Sequence, residues 1–472
     1  MSKSGIQILH NKHTRAIKPV RIDHCQRVTL LMKQHIGAPC VPCVKVGAHV
    51  LAGQLVGDSD APVSAPLHAS ISGTIKKIDV VRIPSGEDVQ AVVIESDGAI
   101  AYTETAPPHV ESTEDFLQAV RRSGLVGLGG AGFPTHLKLR GAAGKVDTLL
   151  VNAAECEPYI TVDHREALDN AEIILEGIRH ICRWLQIPRA IIGIENNKKD
   201  AYYLLQTRIS DFSASAQLQT QISDFSASAQ PQPQTSDFSA SAQPQPQTLD
   251  VRVPAVDIKL GVLPSRYPQG AEKMFIHSLT GRVVPLGQLP TAVGVLPMNV
   301  GSVAFLGRYM RTGRPMISRS ITVDGGAVAH PMNVRVPVGI GLRELCAFCG
   351  LHNVRPAKII LGGPMMGGAS PDLDAVISKC NNAVLLFSAA QANLKPESAC
   401  IRCGSCVAAC PMHLQPLKLE QAYLSKDTEA LKKLRAAACM ECGCCSYTCP
   451  ASRELVQRIR LGKRLLLSSQ KK

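Results

Sequence analysis

The sequence predicts a multidomain chain of mixed α/β and β structure, arranged in four consecutive regions. Short Val- and Ile-rich runs separated by Gly and Pro fill residues 1–105, which indicates an all-β domain. Over residues 110–310, helical patterns alternate with apolar runs at 148–151 and 190–194, which predicts an α/β domain with buried parallel strands. Nine of the 17 cysteines lie within residues 396–472, so a separate cysteine-based domain is expected there.

Composition and charge limit the classes of protein. The chain has 472 residues, a formal net charge of +13 and an ordinary apolar content of 45%. Residues 1–20 are polar and basic, and prolines interrupt the uncharged run between Arg282 and Arg308. We therefore expect neither a secretory signal nor a membrane-spanning helix, and a location in the cytosol or on the cytosolic side of a membrane. Residues 400–472 are basic, but no nucleic-acid motif accompanies that charge, so no nucleic-acid partner is expected.

The cysteines of the last region form two copies of one pattern. Each copy reads Cys-x2-Cys-x2-Cys-x3-Cys-Pro, the pattern of ferredoxins that hold two [4Fe–4S] clusters. The eight predicted ligands are Cys400, Cys403, Cys406, Cys410, Cys439, Cys442, Cys445 and Cys449. The expected ligation is crossed, because the fourth cysteine of each run faces the cluster of the other run. The alternative is a pair of zinc sites, which this repeated spacing fits poorly.

Five other cysteines carry weaker signals. Cys444 lies between two predicted ligands, and we interpret it as a packed bystander. Cys40 and Cys43 form a lone Cys-x-x-Cys pair, as do Cys346 and Cys349. A metal or redox role stays open for either pair, with small buried apolar side chains as the default interpretation.

Two further segments differ from the α/β pattern. The octet Ser-Asp-Phe-Ser-Ala-Ser-Ala-Gln begins at Ser210, Ser223 and Ser236, with Pro and Gln between the copies. This composition predicts a disordered insertion over residues 210–248. Residues 318–370 contain short strand patterns and turns, and we interpret them as a small β-grasp-like module.

A glycine-rich loop at residues 127–134 is the candidate site for a phosphate-bearing cofactor. Glycines let the backbone approach a phosphate closely, although most isolated glycine-rich loops are only tight turns. The longer stretch 124–138 resembles the flavin loop of the FMN- and NADH-binding subunit of respiratory complex I. Residues 151–158, 270–273 and 297–300 resemble later segments of that family, with departures at Leu128, Ala154 and Lys273.

The resemblance extends beyond the flavin segments. Residues 44–75 resemble the barrel-sandwich fold of biotinyl and lipoyl domains, but the hairpin at 57–62 has no lysine to modify, which favours a structural or docking domain. Residues 267–270, 362–367 and 441–447 extend the match, and most of the chain resembles the RnfC family. Members of that family are a subunit of the ion-translocating Rnf electron-transport complex. That family combines a barrel-sandwich domain, a complex-I-like FMN/NADH-binding domain, a β-grasp (SLBB-like) module and a helical two-cluster ferredoxin domain.

The resemblance implies an oxidoreductase subunit that passes electrons between NAD(H), FMN and two [4Fe–4S] clusters. It also implies a peripheral position at the cytoplasmic face of the bacterial inner membrane, where membrane subunits of the Rnf complex link the electrons to ion transport. Glu157 and Glu272 would lie beside the nicotinamide; the alternative for both is a solvated surface carboxylate. The implied FMN-binding residues are Gly129, Gly130, Gly132, Lys138, Asn152, Glu155, Gly270 and Asn299.

Two other functions stay open at this point. Cobalamin reductases of bacterial microcompartments share the domain order and cofactors, but pass electrons to a corrinoid. The second open function is a non-catalytic iron–sulfur scaffold whose flavin site no longer binds flavin. The retained glycines, Lys138 and Asn152 argue against it.

The C-terminal segment, residues 455–467, is basic and partly amphipathic. Such a segment can lie on anionic lipid. Because Gly462 interrupts the helical pattern, we expect attachment through partner subunits rather than through lipid.

Overall fold

The computed structural model describes residues 5–226, 256–351 and 355–469, with residues 213–226 as backbone only. The elements form four successive structural parts along the chain. The first is all-β, as predicted, and its longest strands form an antiparallel hairpin that continues into a sheet of order β2-β8-β7-β4. A smaller sheet, β3-β5-β6, covers it. The strands are β1 (Val20–Arg21), β2 (Arg27–Leu31), β3 (Val41–Pro42), β4 (His49–Val50), β5 (Leu55–Asp58), β6 (Leu67–His68), β7 (Gly73–Arg82) and β8 (Asp88–Ser96).

The second part is an α/β unit whose strands are all parallel, in the order β11-β10-β9-β12. The elements are α1 (Thr113–Arg122), α2 (Thr135–Ala142), β9 (Thr148–Asn152), α3 (Val162–Asp169), α4 (Ala171–Leu185), β10 (Arg189–Glu195), α5 (Lys199–Ser226), β11 (Asp257–Leu263), α6 (Glu272–Thr280), β12 (Val295–Asn299) and α7 (Val300–Thr312), with a 3₁₀ turn at Pro290–Val293. Helices α4 and α7 pack backbone to backbone, because Gly177 and Gly307 face carbonyl groups of the opposite helix. A Cβ atom at either glycine would collide with those carbonyls, so the spacing of the two helices requires glycine.

The repeat insertion begins inside a helix rather than a disordered loop. Helix α5 continues to Ser226, through the first repeat and into the second, which corrects our prediction for residues 210–226. Ala, Gln and Ser are compatible with a helix, and the first proline after α5 begins is Pro231. The remainder of the predicted insertion, up to residue 248, lies outside the described residues.

The third part is a mixed sheet of order β1-β14-β13-β17-β15-β16. It takes β1 from the N-terminal part, and it extends past residue 370 because the apolar strand β17 is buried at its centre. Its core is continuous with that of the barrel-sandwich part, where Val28 and Ile75 belong to one cluster with Val334 and Leu345. The elements are β13 (Ser318–Asp324), β14 (Met332–Pro337), α8 (Leu342–Cys349), β15 (Lys358–Leu361), β16 (Gly368–Ser370), β17 (Ala383–Phe387) and α9 (Ala389–Ala392).

The fourth part is helical. Its elements are α10 (Ser405–Ala408), α11 (Pro416–Leu424), α12 (Thr428–Lys433), α13 (Cys444–Tyr447) and α14 (Leu455–Ser469), with a 3₁₀ turn at Ala436–Ala438. Gly462 does not interrupt α14, contrary to our expectation. It is buried against Leu431 and Tyr423, so its small size serves helix packing. In the portion of the chain that the structure describes, no helix is both long and apolar enough to cross a membrane.

Candidate functional site

The order in which the chain adds strands to the parallel sheet reverses between β9 and β12. The chain proceeds from β9 to β10 to β11 on one side, and then returns to β12 on the other side of β9. Asn152 and Asn299 are the last residues of β9 and β12, and they are paired in register. Ligands of open α/β sheets bind outside the carboxyl ends of the strands at such a switch point. The topology therefore indicates a ligand crevice beside these two asparagines.

Both asparagines hold the loops that surround this crevice. Asn299 caps α7 by accepting a hydrogen bond from the Gly301 N–H at 2.9 Å, and its Nδ2 donates to Asp163 at 2.7 Å. Asn152 donates to the carbonyl of Gly270 at 2.8 Å and accepts from the Ala154 N–H at 3.0 Å. The loops after β9 and before α6 are thus fixed relative to each other at the end of the sheet.

The glycine-rich loop closes on itself above the crevice. The Gly127 N–H donates to the carbonyl of Phe133 at 2.9 Å, and α2 begins directly afterwards at Thr135. A Cβ atom at Gly129 would lie 2.9 Å from Nδ2 of Asn299, so the loop and the end of β12 are in contact. A Cβ atom at Gly130 would meet no atom within 4 Å. The loop therefore leaves open space at Gly130, where a ligand can approach the backbone.

An acidic pair lies beneath the crevice. One carboxylate oxygen of Glu155 accepts a hydrogen bond from the Asp163 N–H at 2.7 Å, while its second oxygen is buried without a hydrogen-bond partner. Burial raises the pKa of Asp163, and the neighbouring Glu155 raises it further. Lys12 brings a positive charge to the pair, with its Nζ 3.8 Å from a carboxylate oxygen of Glu155. The same Nζ donates to the backbone carbonyls of Glu155 and Glu157, at 2.9 and 2.8 Å, so it fixes the course of this loop.

Lys138 and Glu272 form an ion pair at the rim. Their Nζ and Oε2 atoms are 3.1 Å apart, and 32% and 46% of the two side chains are exposed. Lys138 projects from α2 and Glu272 is the first residue of α6. Because both are solvent-accessible, the pair is weak and leaves either group able to contact a ligand.

Glu157 is only partly exposed, and its Oε1 atom is shielded from solvent. Its Oε2 accepts a hydrogen bond from the Met365 N–H at 3.1 Å, and its Oε1 has no partner. A Cβ atom at Gly363 would collide with its carboxyl group, so the loop at 363–365 covers it. Burial raises the pKa of Glu157 to about 7, against hydrogen bonds from Met365 and Met366 that lower it. The two predicted catalytic carboxylates therefore have very different surroundings.

The eight predicted cluster ligands line two cavities in crossed sets. One cavity is lined by Cys400, Cys403, Cys406 and Cys449. The other is lined by Cys410, Cys439, Cys442 and Cys445, together with Cys444. Each set combines the first three cysteines of one run with the fourth of the other, which is the arrangement that crossed ligation requires.

The two cysteine runs also share one backbone conformation. Arg402 and Glu441, which precede the second cysteine of each run, have φ values of 56° and 59°. Gly404 and Gly443 follow that cysteine with φ values of 77° and 78°, and each begins a short helix. Such left-handed positions are unfavourable for most residues, so their repetition indicates that both loops are shaped for the same ligand.

The second cavity lies next to the ligand crevice. The Tyr267 hydroxyl, three residues before Gly270, donates to the Cys442 carbonyl at 2.7 Å. Tyr267 and Cys156 of the α/β part share a buried cluster with Cys442 and Cys444 of the ferredoxin part. By contrast, Cys400 and Cys403 of the first cavity are exposed. The two cavities are therefore an inner one, against the α/β part, and an outer one, open to solvent.

Comparisons with known proteins agree with this arrangement. Family models match as the RnfC barrel sandwich hybrid domain at residues 1–99, the Nuo51 FMN-binding domain at 120–308 and a 4Fe-4S dicluster domain at 393–450. A subunit of the Na(+)-translocating ferredoxin:NAD(+) oxidoreductase complex of Acetobacterium woodii is 35% identical over 100% of this chain and 98% of its own length. The chain belongs to the RnfC family.

Other RnfC relatives are similar to the same degree. A subunit of the proton-translocating ferredoxin:NAD(+) oxidoreductase complex of Clostridium ljungdahlii is 37% identical over 88% of this chain and 83% of its own length. A subunit of the ion-translocating oxidoreductase complex of Pseudomonas aeruginosa is also 37% identical, over 90% of this chain but 50% of its own length. The family matches confirm the predicted fold class, the flavin domain and the two-cluster domain, and the names of the relatives favour membership of such a complex over a cobalamin reductase.

The lone cysteine pairs of this RnfC chain differ in exposure. Cys346 and Cys349 are buried in the core on α8, and burial raises the pKa of each thiol to about 12. Cys40 is buried and Cys43 is exposed. The surroundings of Cys346 and Cys349 are those of small apolar core residues.

Several residues at the RnfC crevice were missed by sequence reasoning. Lys12 and Asp163 contact Glu155, and Tyr267 joins the flavin domain to the inner cavity. Arg319 of β13 donates to the carbonyl of Leu128 at 2.9 Å, which ties the glycine-rich loop to the third part. Tyr267 lies in a segment that we had used for family resemblance, so it could have been singled out. The contacts of Lys12 and Arg319 join residues that are far apart in sequence, and Asp163, eight residues after Glu155, has no motif that singles it out.

Proposed function

We propose that this RnfC-family chain passes electrons between NAD(H) and the membrane subunits of an ion-translocating complex, through FMN and two [4Fe–4S] clusters. The observation that carries the proposal is the hydrogen bond from Tyr267 to Cys442 at 2.7 Å. It joins the segment beside the crevice to a cavity lined by four of the predicted cluster ligands. Electrons that leave a flavin in the crevice would thus reach the inner cavity across a packed, buried contact.

The polar groups around the crevice fit the phosphate, the ribityl chain and the ring of FMN. The open space at Gly130 would admit the phosphate to the N–H groups of the loop and of the first turn of α2. Gly129 and Gly132 have no room for a Cβ atom, because the side chains of Asn299 and Cys380 lie against them. Lys138 would add positive charge at the rim. Asn152, Glu155, Gly270 and Asn299 surround the end of the sheet, where they would contact the ribityl chain and the ring.

FMN, when bound, would supply the exchange between a two-electron hydride donor and one-electron acceptors. The protein residues around it hold the geometry. Lys12 fixes the loop between Glu155 and Ile160 through backbone carbonyls, and Asn299 links that loop to the glycine-rich loop through Asp163. These contacts keep the crevice in one shape, which a cofactor site requires.

We propose that Glu272 and Glu157 lie beside the nicotinamide of bound NAD(H). Glu272 is half-exposed at the rim and close to Lys138, so a dinucleotide can reach it. Glu157 lies deeper, and its unpartnered Oε1 leaves one acceptor free. A carboxyl with a pKa of about 7 can take up or release a proton near neutral pH.

The two cavities are proposed to hold the clusters in order along the electron path. Cys439, Cys442, Cys445 and Cys410 would hold the inner cluster, next to the flavin. Cys400, Cys403, Cys406 and Cys449 would hold the outer cluster, whose exposed cysteines suit exchange with a protein partner. We place the chain at the cytoplasmic face of the bacterial inner membrane, held there by its partner subunits.

Cofactor analysis of anaerobically reconstituted protein tests this proposal. The wild-type chain should bind FMN together with about eight irons, four per cluster. Gly130→Asp should lose FMN, because an added carboxylate fills the open space and repels a phosphate, but should keep its iron. Gly341→Asp, at another open glycine at the start of α8, is the matched control and should keep both. Full FMN binding by Gly130→Asp would refute the assigned crevice.

A further inference from the structure

A cavity of about 260 Å³ lies where three parts of the chain meet. The barrel-sandwich part contributes Ser70, the second half of α7 contributes Arg308 and Thr312, and the β-grasp sheet contributes Arg335. The flavin crevice is at the other end of α7, where Asn299 caps the helix. A helix of 13 residues is about 20 Å long, so the cavity is well separated from the crevice.

Positive charge dominates the cavity wall. Four arginines line it, against Asp23 as the acidic residue among its lining. Two of these arginines are already neutralised: Arg21 pairs with Asp23, and Arg308 pairs with Glu166 at 3.0 Å. Arg314 and Arg335 have no carboxylate within ion-pair distance among the residues that the structure describes. The cavity therefore carries about two positive charges without a local counter-ion.

Arg335 is the more constrained of these two. It is only partly exposed, and its Nε donates a hydrogen bond to the Ser318 hydroxyl at 3.0 Å. Burial lowers the pKa of Arg335 to about 10, and the positive charge of Arg308 adds to this effect. A guanidinium group has five N–H donors, so most of its donor capacity is left for a ligand. Burying a charged group without a partner is unfavourable, and an anion would relieve that cost.

Arg314 is held above the same cavity. Its guanidinium group lies over the Tyr102 ring, 4.9 Å from the centroid. Such a contact orients the guanidinium without using its N–H donors. Ser318 adds a hydroxyl group to the wall, and because its oxygen accepts the hydrogen bond from Arg335, its own proton is left for a ligand. This combination of arginine forks and a hydroxyl donor is complementary to a phosphate group.

We propose that this cavity binds a small phosphate-bearing anion, with Arg335 and Arg314 as its main charged contacts. The volume lies just below the usual range for small-molecule pockets, about 300 to 1,000 Å³, which suits a small phosphorylated compound better than a dinucleotide. The ligand would bridge the barrel-sandwich part, α7 and the β-grasp sheet. It would therefore stabilise the contact between these three parts.

Isothermal titration of the full chain, loaded with FMN and clusters, tests the site with inorganic phosphate at constant ionic strength. Filling the flavin crevice first removes its own phosphate-binding groups from the measurement. The wild-type chain should bind phosphate saturably at one site. Arg335→Met and Arg314→Met should each weaken binding by about tenfold or more, because each removes a charged hydrogen-bond donor. Arg343→Met removes an arginine on α8 that pairs with Asp374, outside this cavity, and should bind phosphate as the wild type does.

Thermal unfolding gives the second readout. Without phosphate, Arg335→Met should unfold at the same temperature as the wild type or higher, because it removes a partly buried, unpaired charge. Phosphate should raise the midpoint of the wild type and of Arg343→Met, but not that of Arg335→Met. Two results would overturn the proposal: no saturable binding by the wild type, or equal affinity in the wild type, Arg335→Met and Arg314→Met.

Discussion

The carboxyl group of Glu157 lies under the loop at 363–365, with Oε1 buried and without a hydrogen-bond partner. Its sequence neighbour Cys156 packs beside Tyr267 at the inner cysteine cavity. The sequence indicated Glu157 as a site residue through family resemblance alone. The shielding of its carboxyl group could not be predicted, because the covering loop is more than 200 positions away in the chain. The cysteines are the opposite case, since their spacing alone predicted the two sets that line the cavities.

The stability of the chain should depend on pH through Glu157. Burial raises its pKa from 4.5 to about 7, so the folded state holds this proton to higher pH than the unfolded state does. Its stabilising contribution is complete below pH 4.5 and is lost as the pH rises through about 7. Glu157→Gln, which keeps the shape without the charge, should therefore be more stable than the wild type at pH 8 by about 1 to 3 kcal/mol, and not at pH 5.

Thermal midpoints at pH 5, 6.5 and 8 measure this difference. Glu397→Gln is a control of opposite sign, because hydrogen bonds from Arg458 lower the pKa of Glu397. That variant should lose stability near neutral pH instead of gaining it. A Glu157→Gln variant that is no more stable at pH 8 than the wild type would show that the carboxyl is not held in a desolvated environment.

Crossed ligation predicts which cluster each cysteine serves. Cys410→Ser should damage the inner cluster, held by Cys439, Cys442 and Cys445, and spare the outer one. EPR spectra of the reduced variant distinguish the two clusters. Cys444→Ser is the matched control, because Cys444 lines the same cavity but is the extra cysteine there. Loss of a cluster in that control would mean that Cys444 is a ligand and that the assigned set of ligands is wrong.

At the scale of elements, most of the architecture could be predicted from the pattern of apolar residues and from the glycines and prolines that separate the apolar runs. The apolar runs at 148–151 and 190–194 are the central strands β9 and β10. The switch point between β9 and β12 was not predictable, because strand order depends on packing between distant elements. Gly462 was misread for a similar reason: a glycine inside a helix weakens the local pattern, but here it allows α14 to approach α12.

The repeat insertion provides the prediction at this scale. Phe212, in the first repeat, packs partly against the α/β core, and Arg179 lies over its ring at 5.5 Å. Deleting residues 227–248 and joining the ends with a short linker should leave the thermal midpoint and FMN binding unchanged. Phe212→Ala should lower stability by about 1 kcal/mol, through the lost contact and the lost burial. A large drop in midpoint for the deletion variant would show that the later repeats belong to the folded core.

At the scale of the whole molecule, the four parts are joined by shared cores. The barrel-sandwich part and the β-grasp sheet have one continuous hydrophobic cluster. Asp58, in the hairpin where a carrier domain would have its lysine, pairs with Arg121 of α1 at 2.8 Å. The first part is thus fixed to the flavin domain, which agrees with a docking role and argues against a swinging carrier.

The surroundings of helix α14 indicate how the chain attaches to the membrane. Its apolar residues Leu455, Ile459 and Leu466 are buried, and Arg458 and Arg460 pair with acidic residues of the ferredoxin part. Arg464 and Leu467 are exposed, but most of its other basic and apolar side chains pack or pair within the ferredoxin part, which leaves little surface for lipid. The purified chain should not float with anionic liposomes at physiological salt, but should bind membranes that contain its partner subunits. Tight flotation that is lost on truncation after Glu454 would reverse this conclusion.

The central claim is that electrons pass between the clusters and NAD(H) only through the flavin crevice. Anaerobic protein whose clusters have been reduced, with excess reductant removed, is mixed with NAD⁺ while absorbance at the NADH band and the cluster EPR signals are followed. We predict that the wild type forms NADH as its cluster signals disappear. Gly130→Asp should keep reduced clusters and form none, while Gly341→Asp should match the wild type. NADH formation by Gly130→Asp at the wild-type rate, or reduced clusters that persist in the wild type, would contradict this claim.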